Sequence, residues 1–443
     1  MDEQALVGSI AARAVPLSGA LDVDAVLKDI GDARIVLLGE ATHGTHEFYR
    51  CRAEISKRLI AEREFDAIAI EGDWPDALQI DREVRQHADH DDSLLAARQA
   101  LTAFHRFPQW MWRNREMLEL CAWLHRHNRE RKNPQQRAGV YGLDLYSLRR
   151  SMEAVVAYLS RVDPAAAREA RARYGCFDQV ADDPQRYGYR ASFGMNEDCE
   201  DEVVQQLLAM RARDHSDVQG DEEAFFAERN AAVAQNAEAY YRAMFHGRNH
   251  SWNLRDTHMA ETLQALAEHI EKRKGRPAGL IVWAHNSHVG DARATEMGEE
   301  GQLTLGQLVR ERFSAKCYLL GFTTHAGTVC AASDWGGRFE HKAVRQSRRD
   351  SFENLFHRCA PEDFFLSLRG WKQAGQPSLG RRLERAIGVI YLPEHERASH
   401  YFHADITAQF DGVIHLDTTR AVTPLDPEGI PAPGPADTFP TGE

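Results

Sequence analysis

The chain has no long apolar run. Its strongest, residues 278–284, is the length of a strand, whereas a membrane-spanning helix needs about 20 apolar residues. Cationic charge is also short: 54 Lys and Arg face 67 Asp and Glu, for a formal net charge of −13. Duplex-binding and anionic-membrane surfaces need clustered cations, so neither nucleic acid nor membrane is expected as a partner. The seven cysteines (Cys51, Cys121, Cys176, Cys199, Cys317, Cys330 and Cys359) are scattered, odd in number and contain no CxxC. That leaves no paired-thiolate zinc site and reads as reduced cysteines in a cytoplasmic protein. The first ten residues are acidic and lack the basic-then-apolar pattern of a secretory signal. Several catalytic signatures are missing too. Without G-x-S-x-G the usual α/β-hydrolase serine has no support. Without G-x-x-x-x-G-K-[ST], G-x-G-x-x-G or H-E-x-x-H, phosphate loops, dinucleotide sites and helical zinc-protease sites lack support as well. No cofactor is expected.

What is present is a repeated strand pattern. Hydrophobic residues make up 43% of 443 residues, enough for a sizeable core. Residues 34–47 read RIVLLGEATHGTHE: a continuous apolar run, then Gly39, Glu40, His43, His46 and Glu47. A strand buried on both faces reads this way. Residues 66–72 (DAIAIEG), 138–144 (AGVYGLD) and 279–285 (GLIVWAH) repeat the theme, ending at Glu71, Asp144 and His285. Parallel strands would gather these tips on one rim, where open α/β sheets bind ligands. Such acids also serve to cap helices and order loops.

The spacing predicts a helix over residues 45–64 with Phe48, Ile55 and Leu59 on one face and Arg52 among them. A buried guanidinium needs a carboxylate, and Glu40 and Glu71 are the candidates; the alternative is that Arg52 snorkels to water. Further helices are predicted at 20–30 (capped by Asp22 or Asp24), 109–131, 148–173, 197–213, 222–245 and 254–274. Residues 175–194 read as loop, 326–343 as a hairpin or long loop, and 386–392 and 412–416 as late strands. We expect one α/β domain over residues 1–423, with a central, largely parallel sheet flanked by helices. A helical layer or cap is inserted at about 148–274, and residues 424–443 form a flexible tail.

A rim of this kind can do two sorts of hydrolytic chemistry. One is general-base catalysis, with a histidine held toward water by Glu40 or Glu71 and an oxyanion steadied by Arg52, His285 or His288. The other is a metal-dependent hydrolase using the same histidines and acids. A protein that binds a large apolar ligand without turnover is the alternative from another class.

The motifs G-E-A-T-H-G at 39–44, E-G-D-W-P at 71–75, Y-G-L-D at 141–144, N-L-R-D at 253–256 and W-A-H-N-S-H-V at 283–289 stand in order along the chain. Together with E-R-x-S-H-Y-F at 396–402 and Q-F-D-G-V-I-H at 409–415, they resemble the erythromycin esterase family. The resemblance implies an α/β core with added helices. It also implies hydrolysis of a macrolide lactone or related small-molecule ester by activated water, without an obligatory metal. It places the base on His43, essential acids on Glu40 and Glu71, the arginine on Arg52 and a second histidine cluster on His285 and His288. Trp74, Trp110, Asp144 and Arg255 are the substrate-binding candidates, in a cleft walled also by Phe104 and Trp112.

Overall fold

Six strands line up in parallel in the computed structural model of the chain, and their alignment decides where the polar tips go. The structure describes residues 3–17, 23–86, 92–177, 184–193, 199–213 and 218–426. The strands are β1 (Val15–Pro16), β2 (Ile35–Leu38), β3 (Ala67–Asp73), β4 (Gly139–Asp144), β5 (Leu280–Trp283), β6 (Cys317–Ala332), β7 (Phe339–Val344), β8 (Phe364–Ser367), β9 (Arg382–Arg385), β10 (Tyr401–Ala404) and β11 (Gly412–Thr419). Among the described residues, nine form one sheet in the order β1-β8-β11-β6-β2-β5-β3-β4, with β7 added beside β6. All pairings from β11 across to β4 are parallel. The pairs β1/β8, β8/β11 and β6/β7 are antiparallel, the last being the hairpin expected from 326–343. A separate ribbon pairs β9 with β10.

Side chains along the central strands alternate between two cores, as the two-residue period of a strand requires. Val36, Leu38, Ile68, Ile70, Ile281 and Trp283 face one side, under Phe48, Ile55 and Leu59 of the helix His46–Arg63. Leu37, Ala69, Leu280 and Val282 face the other, under Met259, Leu263 and Leu266 of the helix Arg248–Lys274. A third core belongs to the inserted helices Leu148–Val162, Pro164–Tyr174, Glu200–Arg211 and Val218–Ala243, with Val155, Leu159, Leu207 and Tyr241 inside it. No described helix is long and apolar enough to cross a membrane.

Several local expectations change. Residues 109–131 are not one helix: a short turn, Gln109–Met111, precedes Arg115–Arg129, which Asn114 caps by accepting from the Met117 amide at 2.8 Å. The predicted helix 148–173 breaks at Asp163, whose carboxylate caps the second piece at the Ala165 and Ala166 amides. The helix near residue 24 starts after Val23 without a side-chain cap, and Asp22 lies outside the described residues. Residues 175–194 contain a helix, Pro184–Ser192. Tyr187 and Gly188 serve packing: Tyr187 is buried and donates to Glu238 at 2.5 Å, and a Cβ on Gly188 would lie 2.1 Å from the Tyr241 carbonyl. Residues 386–392 make only isolated bridges, Ile387 to Thr42 and Ile390 to Ala332, while the strand lies just upstream at β9. Cys176 and Cys199, 23 residues apart, are joined as a disulfide, so the expectation of all-reduced cysteines fails there; the other five are free and buried. Of the expected tail, residues 427–443 lie outside the described residues. Pro424 bridges to Asn114, and Asp426 pairs with Arg113 at 2.6 Å.

Candidate functional site

Parallel pairing sets Leu38 and Ile70 both level with Trp283, so the segments after β2 and β5 and the end of β3 emerge together. Glu40, at the end of the β2 run, is fully buried and does two things at once. One oxygen meets His43 Nδ1 at 2.9 Å, and the other accepts from Arg52 at 2.8 Å. Arg52 arrives from the helix His46–Arg63, is also fully buried, and lies over the rings of Tyr49 (4.4 Å) and Trp283 (4.6 Å). Its partner is therefore Glu40, and it does not snorkel. The contact at Nδ1 assigns the proton there in the neutral ring and leaves Nε2 as the basic nitrogen.

The loop that carries His43 is pinned by backbone contacts. Its amide donates to the Ile387 carbonyl at 3.2 Å, and the next residue, Gly44, accepts from the Cys330 and Val422 amides. Gly44 packs so tightly that a Cβ there would stand 2.0 Å from the Cys330 carbonyl oxygen. His46 turns away: Nδ1 meets Glu116 at 2.5 Å and Nε2 accepts from Arg420 at 2.8 Å.

A second cluster surrounds Glu71 on β3. Its carboxylate accepts from the His285 backbone amide (2.8 Å) and from Arg255 (2.7 Å), with His288 Nε2 at 3.4 Å. Arg255 comes from the helix Arg248–Lys274 and also donates to Asp144 at 3.1 and 2.8 Å. His288 meets Asp256 of that helix through Nδ1 at 2.9 Å and stacks on Trp252. Burial and the Arg255 guanidinium, 3.1 Å from Nε2, oppose a charge on His288, but Asp256 and Glu71 outweigh them and push the imidazole up to about 10. Burial likewise works against the Asp144 charge, and the Arg255 guanidinium beside it holds the carboxyl below its ordinary range. The two clusters meet where His43 faces His285, ring centres 4.8 Å apart, and His285 Nδ1 is 2.8 Å from Ser287 Oγ.

His43, Glu71, Asp144 and Arg255 line a cavity of about 60 Å³. Phe104, Phe107, Trp112, Tyr146 and Trp335 supply its aromatic wall, and Asp73, Asp76 and Arg106 part of its polar one. Eight expected site residues thus come together: His43, Glu40, Arg52, Glu71, Asp144, Arg255, His285 and His288. Two do not. Trp74 turns under the sheet, stacked on Tyr141 and set against Phe225 and Phe226. Trp110 packs into the core on the side of the helix His46–Arg63. Both rings are buried in the core, where an indole packs as well as it does in a cleft. Asp256, Tyr146, Asp73, Asp76 and Arg106 went unrecognised in the sequence, although N-L-R-D contains Asp256 and E-G-D-W-P contains Asp73. Among the described residues, no group of three or more His, Cys, Asp or Glu side chains is placed to hold a metal ion.

Comparison with known proteins places this geometry among relatives. The family model described as Erythromycin esterase matches residues 60–419. A Bacillus subtilis (strain 168) protein described as the putative hydrolase YbfO is 22% identical over 339 residues, 71% of this chain and 70% of its own length. Among solved structures, one described as a succinoglycan biosynthesis protein is 20% identical with a TM-score of 0.75, covering 95% of this chain and 98% of its own. A Bacillus cereus protein is 20% identical with a TM-score of 0.73, covering 96% and 100%. A mutant of erythromycin esterase EreC in its open conformation is 15% identical with a TM-score of 0.65, covering 92% and 96%.

Proposed function

The chain belongs to the erythromycin esterase family, and from that premise we propose that its rim hydrolyses a carboxylic ester with water activated by His43. Its Bacillus subtilis relative is likewise described as a putative hydrolase. The observation that carries the proposal is the buried pair of Glu40 and His43, 2.9 Å apart, with His43 on the cavity wall. Glu40 fixes the tautomer and stabilises the imidazolium as it forms. Water gives a proton to His43 Nε2 while its oxygen bonds to the ester carbonyl carbon, and the carbonyl π pair moves onto oxygen. The tetrahedral intermediate collapses, the C–O bond to the alcohol breaks, and the Nε2 proton goes to the departing alkoxide. Products are one carboxylic acid and one alcohol. Arg255, on the cavity wall, supplies positive charge for the oxyanion, with His288 behind it at 3.1 Å.

Cleavage of a macrolide lactone, the finer form of the proposal, needs a ring that extends beyond the cavity past Phe107 and Trp335 on its wall. Purified His43→Asn, folded by circular dichroism, should lose about 10²–10⁴-fold in ester turnover. Mass spectrometry of macrolides and simple esters, reading the added mass of one water, measures it. Full turnover by that variant would refute His43 as the base.

A further inference from the structure

Strand β9 carries Glu384, fully buried behind the turn that presents His285. Its Oε1 accepts from the Asn286 side-chain amide at 3.3 Å. Glu353, on the helix Phe352–His357, is also fully buried, and its Oε1 accepts at 2.8 Å from the backbone amide of Arg385, the residue after Glu384. The Arg385 guanidinium turns elsewhere, to the Tyr401 hydroxyl and the carbonyls of Thr324, His325 and Arg345. The groups that bear on Glu384 are Glu353, Gln409 and Asn286, and none is a cation. Three buried acceptors are left here without a donor: Oε2 of Glu384, Oε2 of Glu353 and the Gln409 amide oxygen. Buried acceptors need donors, and neighbouring buried carboxylates without a cation do not both ionise. One proton answers both needs. Arg385 favours the ionised form of Glu353 against burial. Glu384 has no such help, and burial and the Glu353 charge push it up to about 8.

Asn286 connects this acid to the rim. Its side chain donates to the Phe322 carbonyl of β6 at 2.7 Å and accepts from the Phe322 amide at 3.2 Å. Its backbone amide donates to the Glu40 carbonyl at 2.8 Å. A Cβ on Gly39 would lie 2.2 Å from Asn286 Oδ1, so β2 packs directly on this amide. Asn286 therefore stands between Glu40, which holds His43, and His285, its neighbour in the chain. A second charge beside Glu353 would force the two acids apart or draw water in, and Asn286 would shift with them.

We propose that Glu384 is a positioning residue of the rim: as a neutral carboxyl it holds Asn286, and through Asn286 the spacing of Glu40 and His285. Its effect on turnover rests on the esterase proposal above. Glu384→Gln keeps a neutral acceptor for Asn286, and Glu384→Ala removes it. The carboxyl is raised when folded, so its contribution to stability is complete below its ordinary value of 4.5 and is lost as pH climbs toward about 8. Across that window the urea midpoint of Glu384→Gln should rise relative to the wild type. Glu384→Ala should lose about 10²-fold in kcat at pH 7 with little change in KM, the cost of misplaced catalytic groups. Wild-type kcat should fall from pH 7 to pH 9, and that of Glu384→Gln should hold. A midpoint difference that does not change with pH, or the same course of kcat with pH in wild type and Glu384→Gln, overturns the proposal; neither comparison needs Glu384→Ala to fold. If the wild type turns over no ester, the esterase proposal fails alone, and NMR of protein labelled with ¹⁵N-histidine decides the positioning. The ring signals of His43 and His285 should move more between pH 7 and pH 9 in the wild type than in Glu384→Gln, and identical courses overturn the proposal.

Discussion

Replacing Arg52 by methionine strips Glu40 of its buried cationic partner while keeping most of the side-chain volume. Both groups are fully buried, 2.8 Å apart, and the other Glu40 oxygen is taken by His43. Losing one partner of a buried ion pair costs about 3–5 kcal/mol, because the remaining charge has nowhere to go. The contacts of the guanidinium with Tyr49 and Trp283 vanish as well, each worth about 1 kcal/mol. Arg52→Met should therefore cost about 5 kcal/mol, a large part of the 5–15 kcal/mol that holds a typical protein folded. Glu40→Gln alone should cost about 3 kcal/mol by leaving the guanidinium buried without its carboxylate. The double variant places two neutral groups there and should recover about 2–3 kcal/mol of the summed cost. Urea unfolding followed by tryptophan fluorescence measures all three. An Arg52→Met cost below about 1 kcal/mol, or a double variant equal to the sum of the singles, would refute the buried-pair account.

Gly44→Ala should cost about 3 kcal/mol in the same assay, because its Cβ meets backbone and has no rotamer to escape into; ester turnover should drop with it. Asp256→Asn tests His288 through pH. The pKa of His288 is raised when folded, so its contribution is complete below its ordinary value of about 6.5 and fades as pH climbs toward about 10. The variant should lose stability at pH 6 and show a flatter decline between pH 6.5 and 10, read from urea midpoints across pH. Trp74→Ala should cost about 3–5 kcal/mol, as core tryptophans do, while the folded fraction keeps the wild-type KM.

The sheet was legible because β2, β3, β4 and β5 are buried on both faces, so each reads as an apolar run between turns. Strand β9, R-L-E-R, was not: its Glu384 and Arg385 are fully buried, and no apolar pattern announces such a strand. The site was legible where chemistry sits at strand ends, as for Glu40, Glu71, Asp144 and His285. It was legible only in part where the helix Arg248–Lys274 brings groups in, since N-L-R-D yielded Arg255 but not Asp256. Asp256 is one more acid on a 27-residue helix until His288 is seen beside it. The tryptophans misled for a different reason: core and cleft both select aromatic rings, and composition does not separate them.

The contacts that steady the His43 loop impose an order on assembly. Arg420 grips His46 across 374 residues of chain, Ala421 bridges Thr45, and the Val422 amide binds Gly44. During synthesis the loop of the proposed base emerges before the strap that fixes it, which follows 374 residues later. At about 5–20 residues per second, the two are separated by roughly 20–75 seconds. Through that interval the nascent chain holds Glu40, His43 and Arg52 without the final brace, and catalytic competence should arrive late and abruptly, after most of the sheet has formed.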